Sequence, residues 1–308
     1  MREAFSDSFI SAISSISPDI EALPRPRAWA IAGGEILLDR PVIMGILNLT
    51  PDSFSDAGEL PDVGAALERA GRMVEEGAGL LDVGGESTRP GARSVPAEEE
   101  IRRVVPVVEA LRSRWPVPLS VDTRKALVAR AALASGAAIV NDVSALAFDP
   151  EMAGMVRETG AGLVLMHMRG TPEEMVGRAR YDDLEGEVVA ELEAAVDRAL
   201  GAGIRRDALV VDPGLGFAKT ASQSLRILAS LDRLGALGLP ILVGPSRKSF
   251  LGEVLGVPPS WRAVGSAVAC VMAYLAGARI FRVHDVAVAS QALRVAEAIR
   301  GAGDRAPE

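Results

Sequence analysis

The chain has 308 residues, enough for one large domain or two small ones, and its 49% hydrophobic content with only 4% aromatic residues predicts an aliphatic core. A formal net charge of −8 argues against nucleic acid or an anionic membrane surface as a partner, so any bound anion needs a local basic cluster. The single cysteine, Cys270, excludes an internal disulfide and suits a reducing compartment such as the cytoplasm. The amino terminus lacks the basic segment of a signal peptide, and the uncharged stretch 263–278 is too short to span a membrane.

Short apolar runs bounded by turn residues predict eight β-strands. In chain order they cover residues 41–47, 80–83, 118–121, 138–140, 162–166, 208–211, 240–243 and 279–283. Several are continuously apolar, which is typical of parallel strands buried on both faces. Between them, apolar residues recur at steps of three and four along 63–74 and 184–199, which predicts helices. We expect Pro106 to kink or break the helix that begins after Pro96.

Eight strands alternating with helices predict an α/β fold, a single-domain (β/α)8 TIM barrel. The rival is a doubly wound open sheet, which usually carries a glycine-rich turn after its first strand. Here Leu47 is followed by Asn-Leu-Thr-Pro, so the barrel is favoured.

Asparagine, histidine and lysine are scarce in this chain, and most of them follow a predicted strand. The carboxyl ends of barrel strands share one face, where the active sites of such barrels lie. The residues that fall there are Asn48, Asn141, His167, Lys248 and His284, with Lys219 in the loop after the sixth strand. Lys125, early in a predicted helix, is the exception.

The polar residues at the strand ends suggest two binding regions. A slot suited to a flat heterocycle rich in N–H groups is formed by Asp122, Asn141 and Asp212. A basic cluster suited to phosphate is formed by Arg89, Lys248, Arg282 and His284. The amide oxygen of Asn48 can coordinate Mg2+, with phosphate supplying most of the other ligands.

Several of these residues have a purely structural alternative. Asp212 precedes Pro-Gly and can simply cap the backbone amides of a turn. His167 lies between two methionines and is as well explained as a core histidine. The segment GLGFAKT lacks the glycine before lysine of a phosphate-binding loop, so we do not predict one.

Eight motifs occur in order along the chain: MGILNLTPDSFSDAG, DVGGESTRPGA, SVDT, NDVS, LMHMRGTPEEM, DPGLGFAKT, SRKS and RVHD. In them the chain resembles the dihydropteroate synthases, the folate-pathway enzymes inhibited by sulfonamides. The match runs from about residue 41 to the helix after the eighth strand. Residues 29–38, with Gly33-Gly34 as a turn, resemble the hairpin that closes the barrel bottom in that family. We therefore expect a barrel at 28–301, a poorly ordered extension at 1–27 and a tail at 302–308.

The resemblance implies that the protein joins 6-hydroxymethyl-7,8-dihydropterin diphosphate to p-aminobenzoate and releases pyrophosphate by a dissociative, Mg2+-assisted mechanism. It assigns the pterin to Asp122, Asn141, Asp212 and Lys248, and the diphosphate to Thr88, Arg282 and His284. It assigns the metal to Asn48, and p-aminobenzoate to Phe54, Arg89, Pro90, Phe217 and Ser249. It also implies a homodimer.

Three residues depart from the family pattern, namely Leu215, Ala218 and Pro245, and they leave the shape of the p-aminobenzoate pocket open. Two alternatives share the pterin slot: a methyltransferase barrel that moves a methyl group from a folate to a corrinoid protein, and a catalytically silent pterin-binding paralogue. The SRKS turn and the Asn48 loop favour the synthase. The loops 50–58 and 86–95 almost lack large aliphatic anchors, so we expect them to be mobile until pterin diphosphate binds first and p-aminobenzoate second.

Overall fold

The structure is a computed structural model that describes residues 26–49 and 62–303. Almost all of the predicted extension 1–27, the whole of the loop 50–58 with the site residue Phe54, and most of the tail 302–308 lie outside the described residues. The predictions made for those segments therefore stay predictions.

Eight parallel strands form the predicted barrel. They are β3 (Val42–Asn48), β4 (Leu80–Gly84), β5 (Leu119–Asp122), β6 (Ile139–Asp142), β7 (Gly162–Met166), β8 (Leu209–Asp212), β9 (Leu242–Val243) and β10 (Ile280–Val283). They pair in the order β8-β7-β6-β5-β4-β3-β10-β9, and a parallel bridge between Val211 and Ile241 joins the two ends of this sheet. The predicted fold class is confirmed.

Helices follow the barrel strands and cover the outside of the barrel. They are α1 (Val63–Glu75), α2 (Ala97–Arg114), α3 (Ala126–Ala134), α4 (Met152–Thr159), α5 (Leu184–Gly201), α6 (Ala221–Ala229), α7 (Ser249–Leu255), α8 (Ala263–Leu275) and α9 (Val286–Gly303). The apolar residues that predicted α5 are the ones it buries, namely Leu184, Val188, Leu192, Ala195 and Ala199. Within the described part of the chain, no helix has the length and apolar character needed to cross a membrane.

Of the kink or break predicted at Pro106, the break is wrong, because α2 continues through this residue. A kink at Pro106 stays a prediction. Proline removes one backbone hydrogen bond from a helix interior. In α2 the aliphatic face around it, which includes Val104, Val107 and Leu111, is fully buried against the barrel. We attribute the continuity of the helix to this packing, which offsets the missing bond.

An antiparallel hairpin closes the amino-terminal end of the barrel, as predicted. It consists of β1 (Ala28–Ile31) and β2 (Gly34–Leu37), and its turn places Gly33 at φ +80°, a conformation that favours glycine. Trp29 is fully buried and packs with an inner layer of strand side chains, including Met44. Its indole N–H donates to the Ala208 carbonyl at 2.9 Å. This closure leaves the carboxyl-terminal end of the barrel as the open face.

Candidate active site

Four strand-end residues lie at one level on the carboxyl-terminal face. In the strand register, Asn48 pairs with Gly84, Gly84 with Asp122, and Asp122 with Asn141. The continuous apolar runs bury the strands, and their last residues bring the metal candidate and two pterin candidates to the same rim.

Arg282 connects these strands through buried carboxylates. From β10, its Nε donates to Asp82 Oδ2 and its Nη2 donates to Asp122 Oδ2, both at 2.6 Å. Asn141 Nδ2 also donates to Asp82 Oδ2, at 3.1 Å. Asp82 is fully buried and lies at the centre of this network, although sequence reasoning did not select it. The available signal was a single charged residue inside the otherwise apolar strand β4.

Asp122 has an unusual environment for a carboxylate. Burial raises its pKa to about 7, and the Arg282 guanidinium works against that shift while Asp82 adds to it. Among the described residues, Asp122 Oδ1 and Asp82 Oδ1 are buried acceptors that have no hydrogen-bond partner. A buried acceptor without a donor costs free energy, so the site is chemically incomplete on this side.

Asp212 and Lys248 form the opposite side of the slot. Asp212 Oδ1 accepts the Gly214 N–H at 2.7 Å, so the turn-capping role is real. Burial lowers the pKa of Lys248 to about 8, and the Asp212 carboxylate opposes this shift. Lys248 Nζ donates to the Leu215 carbonyl and lies 4.3 Å from the centre of the Phe217 ring. The pterin candidates and one p-aminobenzoate candidate are therefore contiguous.

His284 is a neutral hydrogen-bonding group and not a cation in this structure. Burial and the nearby Arg282, Arg247 and Arg69 guanidinium groups lower its pKa to about 3. Ser246 Oγ accepts the His284 backbone N–H at 3.1 Å and lies 3.0 Å from His284 Nδ1. This arrangement lets the serine hydroxyl donate to Nδ1, which leaves the proton on Nε2 as a donor.

The remaining candidates lie at the margin of the slot. Thr88 is half-buried, whereas Arg89 and Pro90 are exposed in the loop after β4, and Ser249 is exposed at the start of α7. Phe54 is outside the described residues. Among the described p-aminobenzoate candidates, Phe217 is the one with a ring contact to a slot residue, Lys248.

Lys125, the scarce lysine that was not predicted at the site, stabilises the loop after β4. Lys125 Nζ donates to Glu86 Oε2 and Glu100 Oε2, both at 2.6 Å. Glu86 Oε2 also accepts the Ser94 hydroxyl at 3.0 Å and the Val95 N–H at 2.7 Å, so one carboxylate ties the two ends of the loop together. Lys125 therefore has a structural role behind the site.

Asn48 suits a magnesium ion that takes most of its ligands from elsewhere. It is half-buried at the end of β3, and no group of three or more His, Cys, Asp or Glu in the described ranges could hold a metal by itself. Mg2+ commonly uses one or two protein oxygens together with water and substrate phosphates. The donor set fits that mode of binding and not a closed protein cage.

Buried acceptors without donors lie at the open face of this parallel barrel, and the family model described as "Pterin binding enzyme" matches residues 44–284. A dihydropteroate synthase of Synechocystis is 46% identical over 270 residues, which cover 86% of this chain and 93% of the relative. The chain belongs to the dihydropteroate synthase family, the transferases of folate biosynthesis.

Two solved structures of dihydropteroate synthases are similar to this chain in both fold and sequence. The dihydropteroate synthase of Xanthomonas albilineans with 4-aminobenzoic acid has a TM-score of 0.84 and 46% identity, and covers 89% of this chain and 98% of its own. The Burkholderia cenocepacia enzyme complexed with 7,8-dihydropteroate has a TM-score of 0.82 and 43% identity, and covers 91% of this chain and 98% of its own.

Proposed function

We propose that this protein condenses 6-hydroxymethyl-7,8-dihydropterin diphosphate with p-aminobenzoate to give 7,8-dihydropteroate and pyrophosphate. The observation that carries the proposal is the buried Asp122 Oδ1, which has no hydrogen-bond partner among the described residues, in a slot that also contains the Asp212 carboxylate. A pterin ring presents several N–H donors in one plane, and it would satisfy these acceptors. The relatives solved with 4-aminobenzoic acid and with 7,8-dihydropteroate support the same pair of substrate and product.

The pterin would be held by Asp122, Asn141, Asp212 and Lys248. Asn141 already gives one amide hydrogen to Asp82, so its carbonyl oxygen is the group that would accept a ring N–H. Burial raises the pKa of Asp212, and Lys248 is the main charge that opposes this. A donor-rich heterocycle would oppose it further by hydrogen bonding to the carboxylate.

The diphosphate would contact Thr88, Arg282 and His284. Because Arg282 uses Nε and Nη2 on two carboxylates, its Nη1 group is the one that would reach a phosphate oxygen. His284 would donate from Nε2, since Nδ1 faces Ser246. The p-aminobenzoate would lie between Phe217, the loop residues Phe54, Arg89 and Pro90, and Ser249 at the start of α7.

In the proposed reaction, the bond between the pterin methylene carbon and the diphosphate oxygen breaks, and the amine nitrogen then bonds to that carbon and loses a proton. Asp122 and Asp212 stabilise the positive charge that develops on the pterin. The ammonium of Lys248 orients the ring and excludes water from its edge. Asn48 would hold Mg2+, which when bound neutralises charge on the leaving diphosphate.

A positional isotope experiment tests the dissociative order. Pterin diphosphate carrying oxygen-18 in the carbon–oxygen–phosphorus bridge would be incubated with enzyme and Mg2+ but without p-aminobenzoate. The proposal predicts that the label moves from the bridge into non-bridging positions. A label that stays in the bridge, in an enzyme that turns over with both substrates, would contradict a dissociative mechanism.

We also propose that the protein is a cytoplasmic homodimer. Helix α8 exposes a stripe of apolar side chains at helical spacing, Val264, Val268, Met272 and Leu275, and α9 packed beside it exposes Val295 and Ile299. A continuous apolar face on two adjacent helices is typical of an interface between identical subunits. The cytoplasm suits the single, buried Cys270 thiol.

A further inference from the structure

Lys219, like Lys125, is a lysine that the proposed chemistry does not use, and it is buried in the loop between β8 and α6. Its ammonium group lies 2.7 Å from His167 Nδ1, 3.3 Å from the Gly214 carbonyl oxygen and 3.2 Å from the Phe217 carbonyl oxygen. An ammonium has three hydrogens, and these three acceptors use all of them. None is left to donate to a substrate, so Lys219 acts inside the protein.

The loop that Lys219 binds has a backbone that needs support. Gly214, Gly216 and Ala218 all have positive φ, of 65°, 75° and 46°. Alanine in this region is strained, and such strain persists only where surrounding contacts hold it. At Gly214 a Cβ atom would lie 2.0 Å from the His167 carbonyl oxygen, so the loop is pressed directly against the end of β7.

His167 is the fixed point to which Lys219 is tied. A lysine ammonium can only donate, so His167 Nδ1 must accept and the ring proton lies on Nε2. That nitrogen is 3.0 Å from Glu191 Oε2, and Glu191 Oε1 accepts from Arg169 Nε at 3.0 Å. Burial lowers the pKa of His167 to about 4, which keeps the ring neutral as this tautomer requires.

Further hydrogen bonds stabilise the loop between β8 and α6. The Tyr181 hydroxyl donates to the Ala218 carbonyl at 2.9 Å, and a reciprocal pair of bonds between Thr220 and Gln223 fixes the start of α6. The fastened loop supplies the Phe217 ring beneath Lys248 and the Leu215 carbonyl that Lys248 binds.

We propose that Lys219, anchored by His167, is a positioning residue that holds the β8–α6 loop in the shape that presents Phe217 to p-aminobenzoate. The inference rests on the proposed function, because that function places p-aminobenzoate against Phe217. It predicts unequal effects on the two substrates: the affinity for p-aminobenzoate depends more strongly on Lys219 than the affinity for pterin diphosphate does.

The test compares Lys219→Met, Phe217→Ala and the double variant at pH 6.5. Burial lowers the pKa of Lys219 to about 7, against the opposing influence of Asp212, so at this pH the ammonium form predominates. Losing a buried charged hydrogen bond predicts a rise in the KM for p-aminobenzoate of about tenfold to a hundredfold in Lys219→Met. The KM for pterin diphosphate should rise less, because Lys219 acts on the pterin residues only indirectly, through the loop that Lys248 contacts and through its charge near Asp212. In the Phe217→Ala background, the same lysine change should add less than about threefold, because the two residues act as one unit.

If Lys219→Met does not fold, two variants of His167 test the role of Lys219 instead. His167→Asn places an amide oxygen near the position of Nδ1 and keeps an acceptor for Lys219, whereas His167→Phe removes it. The asparagine variant should keep a lower KM for p-aminobenzoate than the phenylalanine variant.

Several results would overturn the inference. These are an unchanged KM for p-aminobenzoate in folded Lys219→Met, an equal rise in both KM values, full additivity in the double variant, and equal KM values in the two His167 variants. If Lys219→Met leaves the KM for p-aminobenzoate unchanged while Phe217→Ala raises it, only the proposed role of Lys219 is wrong. If Phe217→Ala is silent in an active enzyme, the placement of p-aminobenzoate fails, and this inference fails with it.

Discussion

The substitution Arg282→Met should strongly destabilise the fold, because it leaves two carboxylates without their cation. Arg282 makes 2.6 Å bonds to Asp82 and to Asp122, which are fully and almost fully buried. Removing one partner from a buried ion pair costs roughly 3–5 kcal/mol, since the remaining charge stays desolvated. Methionine roughly retains the length and apolar volume of the arginine stem, so the loss reports mainly on the charge.

The stability that Arg282→Met loses relative to the wild type should increase with pH. Burial raises the pKa of Asp122 to about 7 although Arg282 opposes the shift, so removing Arg282 raises that pKa further. A carboxyl group with a raised folded-state pKa binds its proton more tightly in the folded protein, and it therefore destabilises the fold progressively as pH rises towards that pKa. In the wild type, this decrease in the free energy of unfolding ends near pH 7. In the variant, the free energy of unfolding continues to fall by about 1.4 kcal/mol per pH unit above pH 7.

Urea unfolding at pH 6 and pH 8.5 measures both effects. The matched control is Arg226→Met, which breaks an exposed ion pair with Glu185 at 2.8 Å and should cost less than about 1 kcal/mol at either pH. The reasoning is refuted if Arg282→Met costs no more than Arg226→Met, or if its deficit is the same at both pH values.

Four further predictions concern activity and assembly. Asp212→Asn should lower kcat/KM by about tenfold to a hundredfold with an unchanged urea midpoint, because a neutral amide stabilises a cationic pterin less; near-normal kcat/KM would remove Asp212 from the site. Lys248→Arg should lower kcat/KM at least about tenfold, since a forked guanidinium does not fit where a compact ammonium reaches a carbonyl; retained activity in a steady-state assay would contradict this. Val268→Glu should convert the dimer to a monomer in sedimentation velocity, because a charge in an apolar interface is desolvated; an unchanged sedimentation coefficient would place the interface elsewhere. The affinity for p-aminobenzoate, measured by calorimetry, and amide protection in loops 50–58 and 86–95 should rise with Mg2+-pyrophosphate; equal values without it would exclude ordered binding.

The fold was predictable from sequence because each barrel strand is a mainly apolar run with polar residues at or shortly after its end. Parallel strands in a barrel carry their carboxyl ends to one face, so the order of polar residues along the chain already predicted their common location. Asp122, Asn141 and Asp212 came from this rule. A helix break at Pro106 was misjudged, because a helical pattern does not show how much packing surrounds one residue.

The support behind the site was not predictable in the same way. Asp82 contacts Arg282 across 200 residues of sequence, and Lys125 contacts Glu86 across 39. Such pairs follow from the closure of the barrel, which no local pattern encodes. The neutral state of His284 likewise depends on three-dimensional burial and on arginines from other elements.

The most direct test of the central claim measures pyrophosphate and 7,8-dihydropteroate together. The purified protein would be incubated with pterin diphosphate and Mg2+, with and without p-aminobenzoate, beside the Asp212→Asn variant. We predict sustained release of pyrophosphate only when p-aminobenzoate is present, in equal amount to dihydropteroate, and a much slower reaction in the variant. No pyrophosphate with both substrates present, or pyrophosphate without dihydropteroate, would contradict the assignment.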